Sequence, residues 1–112
     1  MSYITSFNNQ VDNFLNYIID EFPDENNFIL FKTFIIRMRK VNSIQIVKNF
    51  MEYLEPHKEI IYSENDKFFL EYDFNIYGND ASKHSLELKD IYMNCKNEKV
   101  KKNIWKYLQV LL

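Results

Sequence analysis

Four sets of residues carry side chains able to do chemistry, and their spacing decides what each is good for. His57, His84 and Cys95 are donors that could hold zinc, but they are scattered and form no CxxC or HxxxH spacing. They read better as two loop histidines and a small apolar residue near a helix end. Asp73, Asn75 and Gly78 echo a calcium loop, which needs oxygen side chains at loop positions 1, 3 and 5, Gly at 6 and Glu at 12. Tyr77 and His84 occupy the fifth and twelfth places, so two ligands fail, including the bidentate one. Cys95 or a serine would become a nucleophile only beside a histidine held by a third group, and no spacing here implies that set. The sequence therefore predicts no enzyme, no metal site and no cofactor.

The remaining two sets are charged surfaces. Glu64, Asp66, Glu71 and Asp73 surround Phe68-Phe69-Leu70. Paired carboxylates can do acid–base work or hold magnesium, but here they read as helix-start acids and a solvated edge, with an acidic docking surface for a basic partner as the functional use. Lys99, Lys102 and Lys106 fall within about 60° of one another on a helical wheel, opposite Val100, Ile104 and Leu108. Arg37, Arg39, Lys40 and Lys48 flank the junction of two other predicted helices. If these groups converge they form a basic surface able to grip phosphates, although the chain carries no recognisable nucleic-acid motif, glycine-rich loop or basic tail.

The charges are sorted along the chain. Residues 1–31 hold five acids and no base, residues 32–48 five bases and no acid, residues 49–82 eight acids against two lysines, and residues 83–112 seven lysines against three acids. Two readings follow: complementary helix faces within one fold, or a basic binding surface built from the second and fourth blocks. The formal net charge is only −2, so bulk charge calls for neither a nucleic-acid nor a membrane partner.

The elements that must position these groups are helical. At 112 residues the chain suits one domain with one core, and 46% hydrophobic content argues against disorder. One Gly and two Pro disfavour sandwiches and barrels, whose many turns need such residues. Ile4, Phe7, Val11, Phe14, Leu15, Ile18, Ile19 and Phe22 form one apolar stripe at helical spacing, which Pro23 ends. Asp24 and Glu25 suit the first turn of a second helix, and Arg37, Arg39 and Lys40 its last turn. Its inward stripe is Phe28, Phe31, Phe34, Ile35 and Met38. Ile29, Leu30 and Ile36 widen that stripe, which predicts burial on more than one side.

Asn42 or Ser43 caps a third helix with the stripe Ile44, Val47, Phe50, Met51 and Leu54, ending at Pro56. A turn with a short helix follows to Tyr62, then an acidic segment from Ser63 to Leu70. Residues 72–84 read as the longest loop. A helix spans about Ser85 to Cys95, and Asn97 with Glu98 opens the last one. The fold predicted is an all-α bundle of five or six helices. Its core holds Phe14, Ile18, Phe31, Phe34, Phe50, Leu54, Phe69, Ile91, Ile104, Trp105 and Leu108. Tyr53, Tyr62, Tyr72 and Tyr77 fall in or near turns, where tyrosine serves protein interfaces. No apolar run approaches the ~20 residues of a membrane span. Asp12 interrupts any signal-peptide core, and Ser2 removes the myristoylation pattern. One cysteine makes no internal disulfide. These features read as a soluble intracellular protein.

Two stretches carry a family resemblance. One runs Phe50-Met-Glu-Tyr53-Leu-Glu-Pro56-His-Lys58-Glu-Ile60-Ile into Asn65-Asp66-Lys-Phe68-Phe69-Leu70-Glu-Tyr-Asp73. The other is Leu88-Lys-Asp90-Ile91-Tyr-Met with the closing Ile104-Trp105-Lys106-Tyr107-Leu108-Gln109. Together they resemble small, mostly uncharacterised helical proteins of the nucleocytoplasmic large DNA viruses, the giant viruses. The resemblance covers roughly residues 28–112; residues 1–27 match only in helical character. Such proteins often continue beyond the final leucines, so the chain reads as a short member or a trimmed one. The resemblance brings no activity and no site residues. It implies a viral protein in the host cell cytoplasm or the virion, which acts on a viral or host protein partner or on itself. Binding of nucleic acid in genome packaging or transcription is the alternative.

Overall fold

The helix α1 (Tyr3–Glu21) forms where the first apolar stripe predicts it, and it buries Phe7, Val11, Phe14, Leu15 and Ile18. Its hydrogen bonding runs on to Phe22, whose N–H donates to the Ile18 carbonyl at 2.9 Å. Pro23 then forbids continuation. The computed structural model describes residues 3–65, 75–76, 86–87 and 89–112. The all-α class is what it shows: six α-helices among the described residues, with one minimal strand pair.

The helix α2 (Asn26–Val41) starts after Asp24 and Glu25, so these acids precede its first turn and do not lie within it. The helix α3 (Ser43–Leu54) is capped by Asn42, whose Oδ1 accepts from the N–H groups of Ile44 (3.1 Å) and Gln45 (3.2 Å). That choice between the two sequence candidates satisfies two orphan donors at once. Pro56 lies in a single 3-10 turn, Glu55–His57, which leads into α4 (Lys58–Tyr62).

The strands β1 (Asn75–Ile76) and β2 (Leu86–Glu87) pair antiparallel, Asn75 opposite Glu87 and Ile76 opposite Leu86. Residues 75–76, expected in a loop, are therefore laddered. The helix expected from Ser85 is shortened to α5 (Lys89–Asn94), because Leu86 and Glu87 are committed to the ladder. Asn97 caps α6 (Glu98–Leu111), accepting from Lys99 N–H at 3.0 Å and Val100 N–H at 3.4 Å.

α1 is the central element, with α2, α3 and α6 packed on it. Phe50 of α3 meets Phe7 of α1 edge-on, with centroids 6.1 Å apart, and Phe31 of α2 at 6.4 Å. One aromatic ring thereby joins three helices. α6 runs antiparallel to α1: Phe14 stacks on Tyr107 at 5.7 Å, and Asn103 donates to the Tyr17 hydroxyl at 3.0 Å. Trp105, 2% exposed, donates its indole N–H to the Tyr92 hydroxyl at 2.7 Å and so ties α5 to α6. The radius of gyration, 13.3 Å, is that of a compact chain, about 13 Å at this length.

Of the expected core, Phe14, Ile18, Phe31, Phe50, Leu54, Ile104, Trp105 and Leu108 are fully buried. Phe34 and Ile91 pack partly buried against them, and Phe69 lies outside the described residues. Two helix faces differ from expectation. On α3 the buried residues are Ile46, Phe50 and Leu54, while Ile44 is 48% exposed. The arc that meets α1 and α2 is centred on Phe50, which leaves Ile44 about 120° away. On α2 the widening residues are not buried: Ile29 is 46%, Leu30 48% and Ile36 39% exposed.

Candidate interaction surfaces

Arg39 is the best-fixed of the sequence-predicted basic residues, and it is turned inward. Its guanidinium holds Asp12 of α1 in a bidentate pair, both N–H···O distances being 2.8 Å. A fork-to-fork bond of this kind fixes orientation as well as charge. About two turns earlier on α2, Lys32 bonds the Asn16 side chain, again bridging α2 to α1. One acid of the first block and one base of the second are thus paired across α1 and α2, while Lys32 takes a neutral amide as its partner. Arg37, Lys40 and Lys48 point to solvent.

Lys99, Lys102 and Lys106 do share the exposed face of α6. They do not meet Arg37, Arg39 and Lys40. Asp12 and Asn16 turn one side of α1 to α2, while Phe14 and Tyr17 turn another, about 150° away, to α6. With α1 between them, the two sets lie on separate faces of the bundle. Lys102 also approaches the Glu64 carboxylate at 4.0 Å. Lys101, not singled out by the sequence, places its ammonium 4.7 Å from the Tyr92 ring centroid.

Of the expected acidic surface, Asp66, Glu71 and Asp73 lie outside the described residues. Glu64 has a structural task. It adopts φ 54° just past the end of α4, where its N–H donates to Ile61 O at 3.2 Å and the Asn65 N–H to Ile60 O at 3.4 Å. These two bonds close the helix as glycine usually does at this position. The side-chain amide of Gln109 donates to Glu64 Oε2 and to the Ile61 carbonyl, each at 3.1 Å, which docks the end of α4 on α6.

Cys95 borders an open depression of about 380 Å³ together with Phe22, Glu25, Phe28 and Ile91. Its thiol lies 3.5 Å from the Asn97 carbonyl, and no histidine among the described residues lines the depression. His57 sits beside the Tyr53 ring at 6.1 Å, while His84 lies outside the described residues, as do Asp73, Tyr77 and Gly78. Among the described residues, no three of His, Cys, Asp and Glu are grouped so as to hold a metal, and no helix is long and apolar enough to cross a membrane.

The surface that sequence reasoning missed is apolar. Nine large hydrophobic side chains are exposed among the described residues, and five of them lie within one stretch: Ile29, Leu30, Ile36, Val41 and Ile44. Ile29, Leu30 and Ile36 form the second apolar arc of α2, which helical spacing alone does not distinguish from core. No family model, curated protein or solved structure matches this chain.

Proposed function

We propose that this chain is a non-enzymatic accessory protein that acts by binding another protein, with the solvent face of α2 as its contact surface. The observation that carries the reading is the concentration of exposed Ile29, Leu30 and Ile36 on that one helix. Single exposed hydrophobics are ordinary, whereas a clustered apolar patch rimmed by polar residues marks an interaction site. The resemblance of residues 28–112 to giant-virus helical proteins supports a viral setting, in the host cytoplasm or the virion. The test is affinity capture from infected cells with the wild-type chain and with Ile29→Lys/Ile36→Lys. A partner retained by the first and lost by the second is expected. Equal recovery with both, or no saturable partner together with a strictly monomeric chain, would overturn the reading.

One observation favours a second reading. The α6 face carries three exposed lysines in register; Glu64 lies 4.0 Å from Lys102, and exposed Glu98 stands one turn before it. Nucleic-acid binding through this face alone predicts a gel shift at low salt that Lys102→Glu/Lys106→Glu abolishes, with log K falling about 0.9 per phosphate for each unit of log salt. Failure of both duplex and single strands to shift at low salt would remove it.

A further inference from the structure

We propose that the partner for the α2 face is a second copy of this chain, docked antiparallel about a twofold axis at Thr33; this rests on the reading of α2 as a protein-contact surface. On a helical wheel Asn26, Ile29, Leu30, Thr33, Ile36, Arg37 and Lys40 fall within an arc of about 120°. That arc is opposite the buried Phe28, Phe31 and Ile35. Every residue of the arc other than Thr33 has a counterpart at equal distance on the other side of Thr33: Asn26 with Lys40, Ile29 with Arg37, Leu30 with Ile36. The helical repeat gives any such arc this symmetry, so the face can meet its own copy after a half-turn, as an isologous interface requires.

Charge complementarity selects the antiparallel arrangement. Glu21, Asp24 and Glu25 are exposed around the start of α2, with no base among them, while Arg37 and Lys40 are exposed on the face near its other end, with no acid between them. Antiparallel docking sets each acidic end against the basic end of the second copy and opposes the two helix dipoles. Parallel docking would set like against like. The residue on the axis is suited to burial. The Thr33 hydroxyl already donates to the Ile29 carbonyl at 3.0 Å, so its methyl is left to meet its twin. Size sets the strength. A 16-residue helix is about 24 Å long, and a strip about 10 Å wide offers a few hundred Å² per copy. A standard interface buries ~800 Å² per partner, so the dimer should be weak, dissociating in the micromolar range.

The experiment is sedimentation velocity on the whole chain from about 1 to 200 μM, with circular dichroism confirming unchanged helicity in every variant. The expected result is a mass rising from 13.7 kDa toward twice that value. Ile36→Lys should weaken association at least about tenfold. Glu25→Lys alone and Lys40→Glu alone should each be monomeric, since each sets like charges together. Their mixture should dimerise, because the lysine introduced in one copy then meets the glutamate introduced in the other. In a Cys95→Ser background, Thr33→Cys should form a disulfide-linked dimer on mild oxidation and Asn26→Cys should not. Cross-linking through Asn26→Cys, or a dimer indifferent to Ile36→Lys, would overturn the proposed geometry. A chain monomeric throughout that still retains a different protein through α2 would overturn the dimer and leave the contact surface standing. One that retains nothing would overturn both.

Discussion

Replacing Tyr92 by Phe should destabilise this protein by about 1–3 kcal/mol, the cost of stranding a buried donor. The indole N–H of Trp105 donates to the Tyr92 hydroxyl at 2.7 Å, and both residues are only 2% exposed. Phenylalanine keeps the edge-to-face ring contact, whose centroids are 5.5 Å apart. It removes the oxygen that accepts the indole proton. The loss includes that hydrogen bond and the desolvation of the donor it satisfied. It should be smaller than the ~3–5 kcal/mol expected for Trp105→Ala, which empties the site. Urea unfolding followed by far-UV circular dichroism measures it. With a slope of ~1–3 kcal/mol per molar, the midpoint should fall by about 1 M. A double-mutant cycle isolates the bond: in a Trp105→Phe background there is no indole proton to satisfy, so Tyr92→Phe should cost about 1 kcal/mol less there than in the wild type. An effect of Tyr92→Phe within ±0.5 kcal/mol of zero in the wild type, or an equal cost in both backgrounds, would refute the assignment of Trp105–Tyr92 as the bond locking α5 to α6.

Three further outcomes follow from the geometry. Asn42→Ala and Asn97→Ala should each cost about 1 kcal/mol of cap energy, and the double variant about their sum, in thermal or urea unfolding, because they cap different helices. The Asp12–Arg39 pair is a quarter to a third exposed, so a cycle through Asp12→Ala and Arg39→Ala should give a coupling of about 1–2 kcal/mol, above an open surface pair and below a buried one. Glu64→Ala should destabilise by about 1 kcal/mol through loss of the Gln109 bond, and Glu64→Gly should be about 1 kcal/mol more stable than Glu64→Ala, because glycine alone takes φ 54° without a Cβ clash. Equal stability of the Ala and Gly variants would refute that last account.

Part of the fold is legible from local chemistry alone. The stripe of α1, the stop at Pro23 and the cap at Asn97 depend on spacing and on side chains acting within a few residues, so one helix can be read without its neighbours. A helix with two apolar arcs cannot. α2 carries Phe28, Phe31 and Ile35 on one side and Ile29, Leu30 and Ile36 on the other, and its spacing alone makes both look like core. Only packing decided which arc faces α1 and α3 and which is left to solvent. The same holds for α3, whose buried arc is centred on Phe50 because that ring bridges α1 and α2, turning Ile44 outward. It holds too for the charges. Their segregation into blocks is plain in the chain, but that Arg39 is held by Asp12 while Lys99, Lys102 and Lys106 stand on a separate face follows from where α1 lies between α2 and α6. Local periodicity specifies a helix and its candidate faces; the choice among faces is a long-range contact, and it exists only once the other helices are in place.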